Sequence, residues 1–510
     1  MGSAAALSSS AATGRIVSIN PATGVPLGDV PDMGADEVRA AVARVRAAQP
    51  AWGALSIKER CRRVGRFADV LMSRVDEVIE LLVKEGGKTR IEALNMEVAV
   101  VADLVRYFSK HAPRLLAPEP IPLHLLRHRA SYVHYVPRGV IAVIAPWNFP
   151  FSIPMGEVAM ALIAGNGVVL KPSEVTPLIA LKAKELADAA GLPPDLFQVV
   201  TGRGSTGSAL IDAGVQYVIF TGSVATGKKV GAACGERLIP CTLELGGKAP
   251  AIVCADADLD RTAQALAWGA FANSGQVCCS VERVYVHEAV YDDLVDRVVA
   301  LARSLRQGDA STGEVDVGAM AWDRQVDTVE RLVDAAVKAG AKAACGGKRV
   351  VGPGQFYPPT VLTGVTQDMD VMRKEIFGPV MPIMKVSSED EAVRLANDSH
   401  LGLLAYVFSR DTARARYMAE QIEAGTVMIN DALTTYGCPE TPWGGVKASG
   451  IGRTHSAIGL KELTELRHVN YDRVHLPREL WWYPYKEQTY KLLLKGMRLV
   501  LGKRPWSRGA

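Results

Sequence analysis

The segment Val140-Ile-Ala-Val-Ile-Ala-Pro-Trp-Asn-Phe-Pro150 is an apolar run that ends in a turn bounded by two prolines. Such an uninterrupted run is typical of a strand that is buried on both faces of a parallel sheet. Further apolar runs follow at 167–170, 197–200 and 216–220, and a helical pattern at 178–190 lies between two of them. This alternation predicts an α/β fold with a parallel sheet wrapped by helices. A second α/β series is predicted from 250 to about 430.

Two glycine-rich turns follow strands of the first series, which predicts a Rossmann-like nucleotide-binding domain. Gly202-Arg-Gly204-Ser-Thr-Gly207 matches the generic dinucleotide fingerprint after a short strand. Thr221-Gly222-Ser223-Val-Ala-Thr-Gly227 follows a stronger strand that ends at Phe220. The amides at a helix N-terminus bind phosphate at either turn, so the pattern alone leaves both open.

Three side chains are candidates for catalysis of acyl chemistry. Cys278 follows a Gly-Gln turn, and a thiolate attacks carbonyl carbon readily once it is activated. Asn148 stands where a strand ends, and its amide could stabilise an oxyanion. Glu244 precedes Leu-Gly-Gly and could serve as a general base. The alternative is that Cys278 and Cys279 are both small buried apolar residues without a chemical role, as is typical of cysteines.

Length and composition limit the class of protein. A chain of 510 residues predicts two or three domains, and 48% hydrophobic with 22% charged residues is ordinary for a globular protein. The net charge of +4 and the absence of a binding motif give no indication of nucleic acid. No secretory signal or run of eighteen apolar residues is present. We therefore expect a cytoplasmic protein.

The eight cysteines form neither zinc-ligand pairs nor a disulfide scaffold. We therefore expect no metal and a reducing compartment.

The C-terminal segment has a different composition from the rest of the chain. From Arg473 onward there are nine Lys or Arg against two Glu. Four aromatic residues precede a helical pattern at 490–501 that has one apolar face. A basic amphipathic helix of this kind can lie on an anionic membrane or pack on a partner subunit, and both alternatives stay open. A tethered enzyme would suit a long-chain aldehyde.

Seven motifs together resemble the aldehyde dehydrogenase superfamily, over about residues 15–470. They are PWNFP at 146–150, KPSE at 171–174, FTGS at 220–223 with Gly227, LELGGK at 243–248, GQVC at 275–278, EIFGPV at 375–380 and PWGGVKASGIGR at 442–453. The resemblance implies NAD(P)-dependent oxidation of an aldehyde to an acid, with Cys278 as nucleophile, Glu244 as base and Asn148 as oxyanion donor. Transfer of the acyl group to coenzyme A or phosphate, and a non-catalytic relative, are the alternatives.

The resemblance also implies which residues hold the cofactor, and it favours the turn at Thr221 over the one at Gly204. Lys171 and Glu174 would hold the adenosine ribose, and Glu375 and Phe377 the nicotinamide ribose and ring. Because Glu174 would repel a 2′-phosphate, NAD is favoured over NADP. The full set is Ile144, Pro146, Trp147, Lys171, Ser173, Glu174, Gly204, Phe220, Thr221, Gly222, Ser223, Gly227, Leu245, Glu375 and Phe377.

The resemblance further implies a domain division and a homodimer or homotetramer. The expected parts are a flexible arm at 1–14, an NAD-binding domain at 15–117 and 138–246, a catalytic domain at 247–446, a small β oligomerisation element at 118–137 and 447–475, and a basic amphipathic extension at 476–510.

Two positions depart from the family pattern. Glu157 stands where the family commonly has a Lys that relays protons to a distal Glu, matched here by Glu465. Two acids cannot form that ion pair. Gly156 replaces a residue that is often bulky and aromatic, which predicts a wider substrate tunnel.

Overall fold

Two parallel-stranded sheets carry the fold in the computed structural model, which describes residues 14–502. The strands are β1 Arg15–Ile19, β2 Pro26–Pro31, β3 Glu119–Pro120, β4 Arg129–Pro137, β5 Val140–Ile144, β6 Gly167–Lys171, β7 Phe197–Val199, β8 Tyr217–Thr221, β9 Cys241–Glu244, β10 Ala249–Val253, β11 Val281–His287, β12 Lys342–Cys345, β13 Thr360–Thr363, β14 Val380–Val386, β15 Leu401–Gly402, β16 Leu404–Phe408, β17 Thr426–Ile429, β18 Val446–Lys447, β19 Gly450–Ile451 and β20 Thr464–Asp472.

Helices cover and connect these sheets. The α-helices are α1 Ala35–Gly53, α2 Ile57–Ser73, α3 Val75–Gly86, α4 Arg90–Glu92, α5 Ala99–Leu115, α6 Ser152–Ile163, α7 Leu178–Ala189, α8 Gly204–Asp212, α9 Val224–Glu236, α10 Leu259–Phe271, α11 Tyr291–Ser304, α12 Asp323–Lys338, α13 Asp370–Arg373, α14 Glu389–Asn397, α15 Thr412–Gln421, α16 Ser456–Glu462 and α17 Glu487–Leu501. A π-helix spans Ala93–Val98, and short 3₁₀ turns span Ala272–Gly275, Glu288–Val290 and Thr434–Gly437.

The first sheet has the order β19-β9-β8-β5-β6-β7, and its inner strands are parallel. All five residues of β5 are buried, as its continuous apolar sequence predicts. The register pairs Ile144 with both Lys171 and Phe220, and Thr221 with Glu244. The carboxyl ends of these strands therefore lie at one edge of the sheet, which confirms the predicted α/β fold class.

The second sheet has the order β12-β13-β14-β11-β10-β16-β17. Its central strands β10, β11 and β16 are parallel and buried, and they supply the core beneath the Cys278 loop. Residues 57–84 have apolar residues at helical spacing throughout, yet they form two helices, α2 and α3. The chain leaves helical geometry at Arg74, where φ is −123° and ψ is 25°. Here the apolar period continues across the break, so the pattern could not locate it.

The described residues form two compact units, one of 14–117 with 135–465 and one of 118–134 with 466–502. In the second unit, β3 pairs with β4 and α17 has no buried residue. The predicted flexible arm falls almost wholly outside the described residues. The division of the first unit into cofactor-binding and catalytic domains stays a prediction. Among residues 14–502, no helix has the length and apolarity needed to span a membrane.

Candidate active site

The loop that carries Cys278 begins where helix α10 ends. Asn273, Ser274 and Gly275 follow with φ values of 52°, 55° and 70°. The left-handed region is unfavourable for residues with a side chain, so this turn stores strain that the surrounding core must offset. A Cβ on Gly275 would overlap the carbonyl of Gly378, so only glycine fits there. The turn brings Cys278 to the wall of a cavity.

That cavity has a volume of about 310 Å³ and is lined by Cys278, Cys279, Glu244, Glu157 and other residues. Cys278 is half-buried, whereas Cys279 is 3% exposed and belongs to the apolar core. The neighbouring Cys279 thiol raises the pKa of Cys278, and burial adds to the effect. The resting Cys278 thiol is therefore protonated at neutral pH. It needs a base to become a nucleophile.

Glu244 ends strand β9 and faces the same cavity. The residue is 5% exposed, and within residues 14–502 neither carboxylate oxygen has a hydrogen-bond partner. Burial raises the pKa of Glu244 well above its ordinary value, and the charges of Cys278 and Glu157 add to this effect. A buried carboxyl group without partners is costly for folding, so its presence in a cavity indicates a chemical role.

Asn148 is tied to the loop of Cys278 by its side chain. Its Nδ2 donates to the carbonyl of Gln276 at 2.9 Å, and the residue is 5% exposed. A primary amide has two N–H donors, so one remains for another acceptor. Asn148 thus lies next to the loop that carries Cys278.

Three buried charges hold these two loops together, and none was predicted from sequence. Lys88 donates to the carbonyl of Asn148 and, at 2.8 Å, to Oδ1 of Asn273. Glu92 accepts from the backbone N–H of Asn273 at 2.6 Å. Glu97 lies 3.4 Å from the Lys88 ammonium. A π-helix at 93–98, of a kind frequent at functional sites, is a structural signal that the sequence does not reveal.

The structure does not bring Glu465 to the cavity that Glu157 lines. Glu465 is exposed and pairs with Arg138, and it does not line the cavity. Thr454 is one of the residues that line the cavity together with Glu157. Burial raises the pKa of Glu157 to about 8, with Glu462 adding to the shift. Glu465 matches the position of the family's distal Glu in the sequence, but this match could not tell whether its side chain lies at the surface or faces the cavity.

The expected widening of the tunnel at Gly156 is not found. Gly156 is buried but does not line the cavity. A Cβ added there would lie 3.3 Å from Leu104 Cδ1 and 3.9 Å from His455 Nε2. The space that a larger residue would need is already occupied by these two side chains.

The candidate cofactor residues lie along the carboxyl edge of the first sheet. Lys171 ends β6, donates to the carbonyl of Pro172 at 2.6 Å and lies 3.9 Å from the Glu174 carboxylate. Ile144, Ser173 and Phe220 are buried, while Pro146, Glu174, Thr221 and Gly222 are partly exposed.

Ser223 caps helix α9 by accepting from the Thr226 N–H, so this helix begins directly after the turn. A Cβ on Gly227 would overlap Leu245, which explains the glycine there. Gly204 is exposed at the start of helix α8. Both helix N-termini thus follow parallel strands. At the turn of residues 221–223, the N-terminus of helix α9 fits a phosphate group. The buried side chains of Phe220 and Leu245 beside it fit a flat ring system.

A second cluster of candidate residues surrounds Phe377. The Trp147 and Phe377 rings meet edge to face at 5.3 Å. Phe377 has a φ of 54°, and Glu282 holds it by accepting its N–H at 2.7 Å. Glu375 accepts the Gly247 N–H at 2.8 Å, and burial raises the pKa of Glu375 to about 8. The Glu375 carboxyl thus faces the Gly246–Gly247 backbone that follows Glu244.

Residues 8–469 match the family described as "Aldehyde dehydrogenase family". The chain belongs to the aldehyde dehydrogenase family. It is 40% identical over 455 residues to a protein of Mycolicibacterium smegmatis named "Putative succinate-semialdehyde dehydrogenase (NADP(+))", with 89% of this chain and 88% of the relative covered. It is 38% identical over 478 residues to a 4,4′-diapolycopene aldehyde oxidase of Methylomonas sp, with 93% and 89% covered.

Among solved structures, the chain is similar to an NAD-dependent aldehyde dehydrogenase from Sinorhizobium meliloti. The TM-score is 0.88 at 37% identity, and 93% of this chain and 94% of that chain are covered. The predicted family and fold are confirmed by these similarities. The protein is an NAD(P)-dependent oxidoreductase that oxidises an aldehyde to a carboxylic acid.

Proposed function

We propose that Cys278, Glu244 and Asn148 carry out this oxidation as nucleophile, general base and oxyanion donor. The observation that carries the assignment is the Glu244 carboxyl group, which is buried without a partner and faces the same cavity as Cys278. A carboxyl group with a raised pKa in a largely apolar cavity can exchange a proton near neutral pH. The retained carboxylate favours water over coenzyme A or phosphate as acyl acceptor.

The first half of the reaction forms a covalent bond to sulfur. The Cys278 thiol loses its proton to water, and the thiolate attacks the aldehyde carbon to give a thiohemiacetal. The free N–H of the Asn148 amide and the Cys278 backbone N–H stabilise the oxyanion. A nicotinamide cofactor, when bound, supplies the hydride acceptor, and the glycine turn after Phe220 with Lys171 and Ser223 would hold it. Collapse of the oxyanion leaves a thioester on Cys278.

The second half releases the acid. Glu244 takes a proton from water, which attacks the thioester carbon, and the Cys278 thiol leaves as the C–S bond breaks. The Lys88–Glu97 pair takes no part in these steps. It holds in place the two loops that carry the Asn148 amide and the Cys278 thiol. The test of this assignment is the time course of NADH formation in variants at Cys278 and Glu244.

We propose NAD as the preferred form of the cofactor. Glu174 lies 3.9 Å from Lys171 at the edge where a ribose would sit, and a carboxylate there would meet a 2′-phosphate with like charge. Because the Glu174 side chain is 43% exposed, solvent weakens this repulsion. We expect kcat/KM with NAD to exceed that with NADP by roughly 10- to 100-fold.

Glu174→Gln should narrow this ratio by raising activity with NADP, since it removes the charge and keeps the shape. Glu185→Gln removes a carboxylate of helix α7 that pairs with Arg74 and Lys182, and it should leave the ratio unchanged. A wild-type protein that prefers NADP, as the name of the Mycolicibacterium smegmatis relative states for that protein, would contradict the proposal.

We propose a second copy of this chain as the partner of strand β20. This strand is at the edge of the order β20-β4-β3, and its residues from Glu465 to Tyr471 are exposed. Leu466 and Tyr471 are 68% and 52% exposed, which is unusual for apolar side chains on an unpaired edge. Pairing with the equivalent element of a partner would cover them in a homodimer or homotetramer.

We further propose that helix α17 contacts an anionic lipid surface. None of its residues is buried, and Tyr490, Met497 and Val500 on its apolar face are 60%, 57% and 51% exposed. Trp481 and Trp482, just before it, are also exposed. Lys491, Lys495 and Arg498 supply charge that complements anionic lipid, at about 1 kcal/mol for each basic residue. Aromatic and basic residues together are typical of interfacial helices.

The full chain should co-sediment with phosphatidylserine vesicles and not with phosphatidylcholine vesicles. Reversing the charge of Lys491, Lys495 and Arg498 together should weaken binding by about 100-fold or more, since roughly 3 kcal/mol is lost. A chain that ends at Tyr485 should not bind. If these changes leave vesicle binding intact, or alter only the oligomer size, the helix is an assembly element instead.

A further inference from the structure

The cavity beside Cys278 is apolar apart from its chemical groups. Its walls include Met96, Ile153, Trp268, Tyr436 and Trp443. The Tyr436 ring meets Trp443 edge to face at 5.0 Å, so two of the aromatic walls are fixed against each other. The volume of about 310 Å³ is at the lower end of ligand pockets, which span about 300–1,000 Å³. Such walls favour a compact apolar group by contact and by exclusion of water.

No lysine, arginine or histidine lines this cavity in the part of the chain that the structure describes. Lys88, which is buried, and Arg453, which is partly buried, lie outside this lining, and both are engaged. The Lys88 ammonium is held by Asn148, Asn273 and Glu97. The Arg453 guanidinium donates to the carbonyls of Gly445 and Gly452 at 3.0 and 2.6 Å. A carboxylate on the substrate would therefore lose its water and meet no cation.

The one histidine packed behind the wall does not supply a charge either. His455 lies against Tyr436 with ring centroids 4.7 Å apart, and neither ring nitrogen has a partner within residues 14–502. Burial lowers the pKa of His455 to about 4, so its ring is neutral near pH 7.

Glu157 occupies the position where a cation could have been placed. It projects from helix α6, whose residues are all buried, and it is itself 3% exposed. Protonated, it offers a substrate carboxylate at most one hydrogen bond, and ionised, it repels that carboxylate. With Glu244, it gives the cavity two acidic side chains and, among residues 14–502, no cationic one.

We propose that this cavity takes neutral, apolar aldehydes and rejects aldehydes that carry a carboxylate, and that the side chain at position 157 determines this selectivity. The inference rests on the proposed roles of Cys278 and Glu244. The names of the two relatives above include both kinds of substrate, a semialdehyde with a carboxylate and an apolar aldehyde. In this chain, the chemistry of the lining favours the second kind.

The test compares two substrates of equal size that differ in charge, succinate semialdehyde and 4-oxopentanal, in which a methyl group replaces a carboxylate oxygen. With NAD at pH 7, we expect kcat/KM for 4-oxopentanal to exceed that for succinate semialdehyde by about 100-fold or more, since an unpaired buried charge is heavily penalised. Benzaldehyde and hexanal should be used at least as well as 4-oxopentanal.

Three variants locate the selectivity. Glu157→Lys should lower the ratio of the two kcat/KM values by about 10-fold or more, because it supplies the missing cation. Glu157→Gln keeps the size of a protonated Glu157 and should leave the ratio within about threefold at pH 7. Glu465→Lys makes the same charge change outside the cavity and should also leave the ratio unchanged. If Glu157→Lys does not fold, the ratios measured for the wild-type protein and for Glu157→Gln still test the preference for uncharged aldehydes.

Equal or better use of succinate semialdehyde by the wild-type protein would overturn the inference while leaving the proposed mechanism intact. If Glu465→Lys lowers the ratio of the two kcat/KM values as much as Glu157→Lys does, position 157 does not determine the selectivity. Failure to form NADH with any of the four aldehydes would instead overturn the catalytic assignment, and this inference with it.

Discussion

Cys278→Ala is expected to lower kcat/KM for NAD-dependent aldehyde oxidation by about 10⁴-fold or more. The thiol forms the bond on which every later step depends, and removal of a covalent nucleophile leaves only binding and oxyanion stabilisation. Cys278 is half-buried at the cavity wall, so its loss removes few packing contacts and the variant should fold. The measurement is steady-state NADH formation, with the unfolding midpoint as a check on the fold.

Cys279→Ala is the matched control, because it removes a thiol one residue along the chain. Cys279 is 3% exposed and packs in the core beneath the second sheet, and its carbonyl accepts from the Tyr406 hydroxyl at 2.6 Å. The backbone carbonyl survives the change, so we expect a loss of about 1 kcal/mol in stability and retention of most activity. Equal loss of activity in both variants, or activity that survives in Cys278→Ala, would assign the chemistry to another group.

The strands and turns of the site could be predicted from sequence because their signals are local. The apolar run at 140–144 predicts a buried parallel strand, and the structure pairs Ile144 with Lys171 and Phe220. Once the strands are parallel, the residues that follow them meet at one edge. The end of helix α3 at Gly86 was also predictable, since Gly87 takes the left-handed conformation with φ of 72°.

The groups that hold the site together could not be predicted in this way. Lys88, Glu92 and Glu97 come from one segment and contact loops near 148 and 273. Nothing in a local pattern reveals a contact over 60 or 181 residues of chain. A charged residue in a helical segment is usually solvated, so burial is learned only from the fold.

The surroundings of Gly156 and Glu465 could not be predicted for a related reason. Both were assigned by their spacing from a motif, and spacing does not tell which way a side chain projects. A side chain at position 156 would meet Leu104 and His455, and the Glu465 carboxylate pairs with Arg138. Thr454, which the spacing did not select, is among the residues that line the cavity with Glu157.

Glu244→Gln is expected to separate the two halves of the reaction. If base-assisted hydrolysis of the thioester is lost, each site should form about one NADH in a burst and then turn over slowly. General-base catalysis contributes about 10²–10⁴-fold, so the steady-state rate should fall by roughly that factor. Glutamine keeps the volume of a buried side chain whose carboxylate oxygens have no partner among residues 14–502, so the fold should tolerate it.

The pH dependence gives an independent readout of the same change. Burial raises the pKa of Glu244, so its carboxyl keeps its proton to a higher pH than an ordinary carboxyl and becomes a base as the pH rises through that pKa. Wild-type thioester hydrolysis should therefore increase with pH beyond the ordinary carboxylate range, whereas the residual rate of Glu244→Gln should lack this rise. Glu157 titrates nearby with a pKa of about 8, so Glu157→Gln is the matched control and should keep the Glu244-dependent rise. Unchanged steady-state turnover in Glu244→Gln would exclude this carboxylate as the base, and a burst lost together with turnover would place its action before the thioester.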